Sequence, residues 1–144
     1  MKILKIGTEK RRLGDLGERA AARYLRRHGY RIIERNYVAD GHEIDIIARA
    51  KDTLVFVEVK TRSVGAASPM EERPASAVTP EKQRKILRTA SYYKAYNPDS
   101  GRMRFDIIEV MTEDTVKGPR VSEIKHLIGA FNKDTAYLPP WRRR

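Results

Sequence analysis

Between Leu13 and His28, the residues Leu13, Leu16, Gly17, Ala20, Ala21 and Tyr24 recur at the spacing of one helix face. Arg19, Arg23 and Arg26 gather on another face, so the pattern predicts an amphipathic helix, with Gly29 as its stop. Tyr30 to Tyr37, carrying Ile32 and Ile33, reads as extended, and Asp40-Gly41 marks a turn. Two apolar runs follow, EIDIIA over 43–48 and LVFVEVK over 54–60, with Lys51 and Asp52 at the tip of a predicted tight hairpin. Residues 63–78 are rich in small residues and proline, which predicts a long mobile loop of the kind that often carries function. Thr79-Pro80-Glu81 announces a second helix: a capping threonine, proline in the first turn and an acid near the positive dipole end. That helix should reach Tyr96, before Asn97-Pro98. Met103 to Met111 and Val121 to Leu127 read as strands separated by the polar turn at Lys117-Gly118-Pro119.

The order is helix, three strands, helix, two strands, which points to an α/β fold with a mixed central sheet flanked by helices. At 144 residues the chain is one domain, expected over 13–131. Residues 1–12 show no periodicity and read as a basic N-terminal arm that orders on binding, and 132–144 read as a basic tail ending Arg142-Arg143-Arg144.

Composition narrows the partner class. There are 30 Lys plus Arg against 19 Asp plus Glu, a formal net charge of +11. Such an excess attracts polyanions over long distances, so nucleic acid or an anionic membrane surface is the natural partner, although a basic surface also keeps a protein soluble. No amphipathic anchor or lipidation signal appears, which disfavours a membrane. With no cysteine there is neither disulfide nor thiolate zinc site, and a metal would need oxygen ligands or the three histidines. No stretch approaches the ~20 apolar residues of a membrane helix, and no signal-peptide core is present, so a soluble cytoplasmic protein is expected.

Charges inside apolar strands carry the candidate chemistry. Glu58 and Lys60 lie two apart and so project from one strand face, with Val57 and Val59 on the other. Asp45 interrupts the run before the turn. If the hairpin is centred between Lys51 and Asp52, facing residue numbers sum to 103, which sets Asp45 opposite Glu58 and Glu43 opposite Lys60. Carboxylates facing each other at ~5 Å repel unless a positive group lies between them. A divalent cation held by carboxylates and water, Mg²⁺ or Mn²⁺, satisfies that need. Taken alone, a Glu-x-Lys pair on a strand is usually a surface ion pair; Asp45 opposite it in an apolar sheet brings the two readings level.

Asp45, then Glu58-Val59-Lys60 thirteen residues later, with Glu18 on a preceding helix, resembles the PD-(D/E)XK nuclease signature and the spacing of archaeal Holliday-junction resolvases. More closely, GDLGERAAARYLRRHGYRIIERNY, GHEIDIIA, VFVEVKTR, RFDIIEV and HLIGAF resemble the YraN family, a bacterial group related to that superfamily. The resemblance covers nearly all of 13–131 and implies a restriction-endonuclease-like fold and a metal-dependent endonuclease acting on DNA in repair or recombination, with branched or structured DNA among the substrates it suggests. The alternative is a non-cleaving nucleic-acid-binding accessory protein on the same fold. It also implies roles: Asp45, Glu58 and the Val59 carbonyl as metal ligands, Glu18 as a further ligand directly or through water, and Lys60 as the group that orients or deprotonates the attacking water or stabilises the charge developing on the phosphate. Resolvases of this signature act as dimers, which makes a homodimer the hypothesis here. Ile44 stands where the superfamily's short name has proline, a position at which members vary.

Other residues have two readings each. Glu43 is an accessory ligand or the partner of Lys60, and His42 a metal ligand or an ordinary surface residue. Thr61, Arg62, Lys82, Gln83 and Arg84 are candidate nucleic-acid contacts, with Lys85 and Arg88 beside them; as a bland alternative they form a solvated face. Tyr92, Tyr93 and Tyr96 either stack on bases or pack in the core. Asp106 supports the site or makes a structural ion pair.

Overall fold

The computed structural model describes residues 2–63, 78–98 and 101–136, the side chains of 2–7 and 135 excepted. Helix α1 (Lys2–Arg27) is followed by strands β1 (Arg31–Ala39), β2 (His42–Ala50) and β3 (Thr53–Ser63). Helix α2 (Pro80–Tyr96), strands β4 (Arg102–Thr115) and β5 (Gly118–Phe131), and the short helix α3 (Lys133–Ala136) complete the order. The five strands form one sheet in the order β1-β2-β3-β4-β5. β3 and β4 are parallel, with α2 in the connection between them, and every other neighbouring pair is antiparallel. This is the mixed sheet flanked by helices that the pattern predicts, and it is consistent with a restriction-endonuclease-like fold.

Each face of the sheet has its own core. Ala21, Ala22 and Leu25 of α1 pack on Ile46, Ala48, Val55, Val57, Ile108 and Val110. Ile86, Ala90 and Tyr93 of α2 pack on the opposite face against Ile47, Leu54, Phe56, Phe105 and Ile107. Alternation along β3 sends successive apolar residues to the two cores, so the strand reads as a nearly continuous apolar run. Fully burying one such leucine or isoleucine contributes about 1.5–3 kcal/mol, so the central strands anchor the molecule.

Local signals place the ends of these elements. Asp40 and Gly41 both have positive φ, 53° and 72°, as the two-residue β1–β2 turn requires. Thr79 caps α2 by accepting from the Lys82 N–H at 3.2 Å, and Pro80 occupies the first helical turn.

Several boundaries differ from expectation. β4 and β5 run past the expected 103–111 and 121–127, and Gly118 and Pro119, expected in the turn, open β5. α1 begins at Lys2, so residues expected as an arm are helical. Residues 8–12 are all exposed, and a helix that buries nothing shows no apolar stripe. At the other end, α3 lies inside the expected tail and Ala136 is fully buried, while residues 137–144 fall outside the described set. The loop expected over 63–78 also falls largely outside it: Ser63 ends β3, Val78 is buried ahead of α2, and 64–77 are not described. Among the described residues no helix is long and apolar enough to cross a membrane.

Candidate active site

The β2–β3 ladder runs from Ala50↔Thr53 to Ile46↔Val57, which is the register summing to 103. Pairing stops one step before Asp45 would meet Glu58. There the Asp45 Oδ2 accepts a hydrogen bond from the Val59 N–H at 2.8 Å, so a side chain replaces the backbone ladder. Strand alternation also breaks at this point: Ile44 joins the core under α2 and Ile46 the core under α1, although they are two residues apart. Asp45 thus sits at a local distortion where β2 parts from β3.

α1 supplies the third wall. A Cβ at Gly17 would lie 1.8 Å from the Thr61 Oγ1, so only glycine permits α1 to lie this close to the end of β3. That approach delivers the next residue, Glu18, to the carboxylates of β2. One oxygen each from Glu18, Glu43 and Asp45 lies within 4.8 Å of the others. The Asn36 side-chain amide, on the neighbouring edge strand, donates to Glu18 at 2.8 Å and to Glu43 at 3.1 Å. Arg35 stands 4.0 Å from Glu18.

On the other side of Asp45 lie Glu58, Lys60 and Lys82. Glu58 is buried, and its Oε2 pairs with the Lys82 Nζ at 3.0 Å. Burial, then the charge of Glu58, pushes the Asp45 carboxyl up to about 8, against the pull of the Val59 hydrogen bond. Burial and the neighbouring charge of Lys82 lower the Lys60 pKa. Burial acts against the charge of Lys82 too, but Glu58 outweighs it and raises that lysine. The two lysines are therefore pushed in opposite directions, Lys60 toward the neutral form and Lys82 toward the cationic one. Burial likewise lowers the His42 pKa, and the buried His42 Nε2 has no hydrogen-bond partner.

The other sequence candidates separate. Lys82 turns into the site instead of outward. Arg62 lies 3.2 Å from the buried carboxylate of Glu109, within ion-pair distance but off the line of a hydrogen bond. Thr61 packs on Gly17. Gln83 donates to the Val78 carbonyl at 3.0 Å, and Arg84 to the Ala136 carbonyl at 2.9 Å, so each ties chain segments together. Lys85 and Arg88 pair with Glu81 and Asp40. Tyr93 is core, whereas Tyr92 and Tyr96 are exposed. Asp106 is fully buried on the α1 side, where Arg104, His126 and the Gly129 N–H all donate to it. Burial opposes its charge, but these donors outweigh burial and hold the carboxyl below its usual range, which makes Asp106 a structural hub. Sequence reasoning missed Asn36. A single polar residue on an exposed edge strand carries no signal, and its positive φ of 54° is invisible before folding.

The profile of the uncharacterised protein family UPF0102 matches residues 17–110. A UPF0102 protein of Chlorobium phaeobacteroides strain BS1 is 45% identical over 122 residues, 83% of this chain and 93% of that protein. One from Chloroflexus aurantiacus is 39% identical over 129 residues, 88% of this chain and 98% of that protein. One from Geobacter metallireducens is 43% identical over 120 residues, 83% of this chain and 91% of that protein.

Proposed function

The chain belongs to the UPF0102 family, also called YraN, and from that premise we propose that it is a Mg²⁺- or Mn²⁺-dependent endonuclease hydrolysing DNA phosphodiesters. The observation that carries this reading is the convergence of Glu18, Glu43 and Asp45, with Glu58 beside them, at the point where β2 and β3 part. Acids gathered from a helix and two strands repel one another, and a hard divalent cation is the partner that relieves this. The donor set fits one: it is all carboxylate oxygen, with no thiolate. When bound, such an ion neutralises charge at phosphorus and acidifies water.

The remaining chemistry falls to the chain's own side chains. In its neutral form, which the lowered pKa favours, Lys60 accepts a proton from the attacking water at Nζ as the water oxygen bonds to phosphorus. The P–O bond to the leaving sugar oxygen breaks, and solvent returns a proton to that oxygen. Lys82, held cationic by Glu58, faces the same charge build-up. Asn36 keeps Glu18 and Glu43 from splaying apart. DNA is the chosen substrate because a net charge of +11 suits a duplex backbone. Cutting two symmetric strands would take two such sites, so the reading includes a dimer on branched DNA, checked by light scattering of the complex.

One observation favours a second reading. The Lys82 ammonium at 3.0 Å from Glu58 neutralises a carboxylate without any metal, as suits a non-cleaving nucleic-acid-binding protein that keeps the fold. Labelled duplex, single-stranded, flap and four-way-junction DNAs incubated with Mn²⁺ or Mg²⁺ separate the two. The nuclease reading expects cutting that falls about 10²–10⁴-fold in Glu58→Ala and Lys60→Ala. Tight binding without cutting under either metal establishes the accessory protein instead.

A further inference from the structure

A cleft of about 560 Å³ lies at the other end of the α2 face, lined by Arg31, Arg49, Tyr93, Tyr96 and Asn97 among others. Arg31 begins β1, Arg49 lies near the end of β2, and the two are direct partners across the ladder. The register thus sets two guanidinium groups side by side at one wall of the cleft. The aromatic wall is split: Tyr93 is buried and fixes the floor, while Tyr96 is 81% exposed and presents its ring. Asn97 closes the helix by donating to the Tyr93 carbonyl at 2.9 Å, which holds that wall in place.

We infer that this cleft binds one nucleotide unit, its phosphate between Arg31 and Arg49 and its base stacked on Tyr96. Guanidinium groups match phosphate oxygens bidentately, and an exposed aromatic ring beside them supplies the face on which any base stacks. The volume falls within the ~300–1,000 Å³ usual for sites of small organic ligands. Arg49 follows Asp45 by four positions on β2, a separation of about 13 Å. About four stacked nucleotides, at ~3.4 Å each, span that distance. That the nucleotide belongs to a strand engaged at the carboxylates rests on the nuclease reading; the nucleotide site itself does not.

An NMR titration of the full-length ¹⁵N-labelled chain without divalent metal tests this, using AMP, inorganic phosphate and a DNA octamer as probes. Arg31→Ala and Tyr96→Ala are the variants, both at exposed positions whose loss leaves the cores intact. AMP should shift Arg31, Arg49 and Asn97 signals, bind about tenfold more tightly than phosphate, and weaken about tenfold in each variant. An octamer weakened equally by Tyr96→Ala assigns the cleft to a strand, and one indifferent to it assigns the cleft to a free nucleotide. AMP binding no tighter than phosphate, or equally in wild type and variants, overturns the inference. Asp45→Ala keeps its AMP shifts whatever becomes of cleavage, so the failure of either reading is seen separately.

Discussion

Asp45 holds a proton near neutral pH because burial and the charge of Glu58 both oppose its ionisation, which lifts its carboxyl from 3.8 to about 8. The folded chain therefore binds a proton that the unfolded chain has lost between pH 4 and 8. Metal-free stability is greatest below that window and falls as pH rises through it. Asp45→Asn removes the charge and should raise metal-free stability at pH 8 by roughly 1–3 kcal/mol, after discounting for solvent screening. Urea unfolding across pH checks this: the wild type should lose stability toward pH 8, and the variant should lose less. Asp45, Glu58 and Lys60 were legible as residues because charge inside an apolar strand must be compensated. The hairpin sum of 103 matched the ladder, although pairing stops one step short of setting the two acids face to face. Asn36 and the inward turn of Lys82 were not legible, since neither an exposed strand position nor a basic helix reveals which way a side chain reaches.

At the scale of elements, the approach of α1 to β3 sets the geometry of the site. Two glycines of α1 test it against each other. An alanine at Gly14 meets nothing within 4 Å, so Gly14→Ala should add up to about 1 kcal/mol of helix propensity. Gly17→Ala brings the same gain, but its Cβ lands 1.8 Å from the Thr61 Oγ1. Forced repacking costs about 1–3 kcal/mol and outweighs it. Thermal melts should show the first variant above wild type and the second below it, with the second also losing cation affinity because Glu18 moves with the helix. The strands and α2 were readable from period, turn and cap: Thr79-Pro80 placed the start of α2, and Asp40-Gly41 the first hairpin. The N-terminal half of α1 was not. It leaves residues 8–12 in solvent, and the periodic pattern on which the reading depends arises only from burial. The packing of Ala136 was equally hidden, because a four-residue helix is too short to repeat.

At the scale of the whole molecule, the sheet joins two features: clustered carboxylates where β2 and β3 part, and a cleft on the α2 face with paired arginines farther along. The net charge of +11 supplies the long-range attraction that brings a polyanion to both. DNA affinity should fall steeply with salt, each neutralised phosphate adding about −0.9 to the log–log slope. Fluorescence anisotropy between low and physiological salt measures that slope, and Arg31→Ala should make it shallower. Fold class and the basic character were legible from order and composition, whereas the cleft was not: Arg31 and Arg49 become neighbours only through the β1–β2 register. The central claim is that the converged acids hold a divalent cation, and a Mn²⁺ titration followed by electron paramagnetic resonance, in wild type and Asp45→Asn at pH 7 and pH 9, addresses it most directly. The account expects saturable binding in the wild type that tightens toward pH 9 as Asp45 ionises, and at least a tenfold loss in the variant. Binding that is absent at both pH values, or equal in the two proteins, would contradict it.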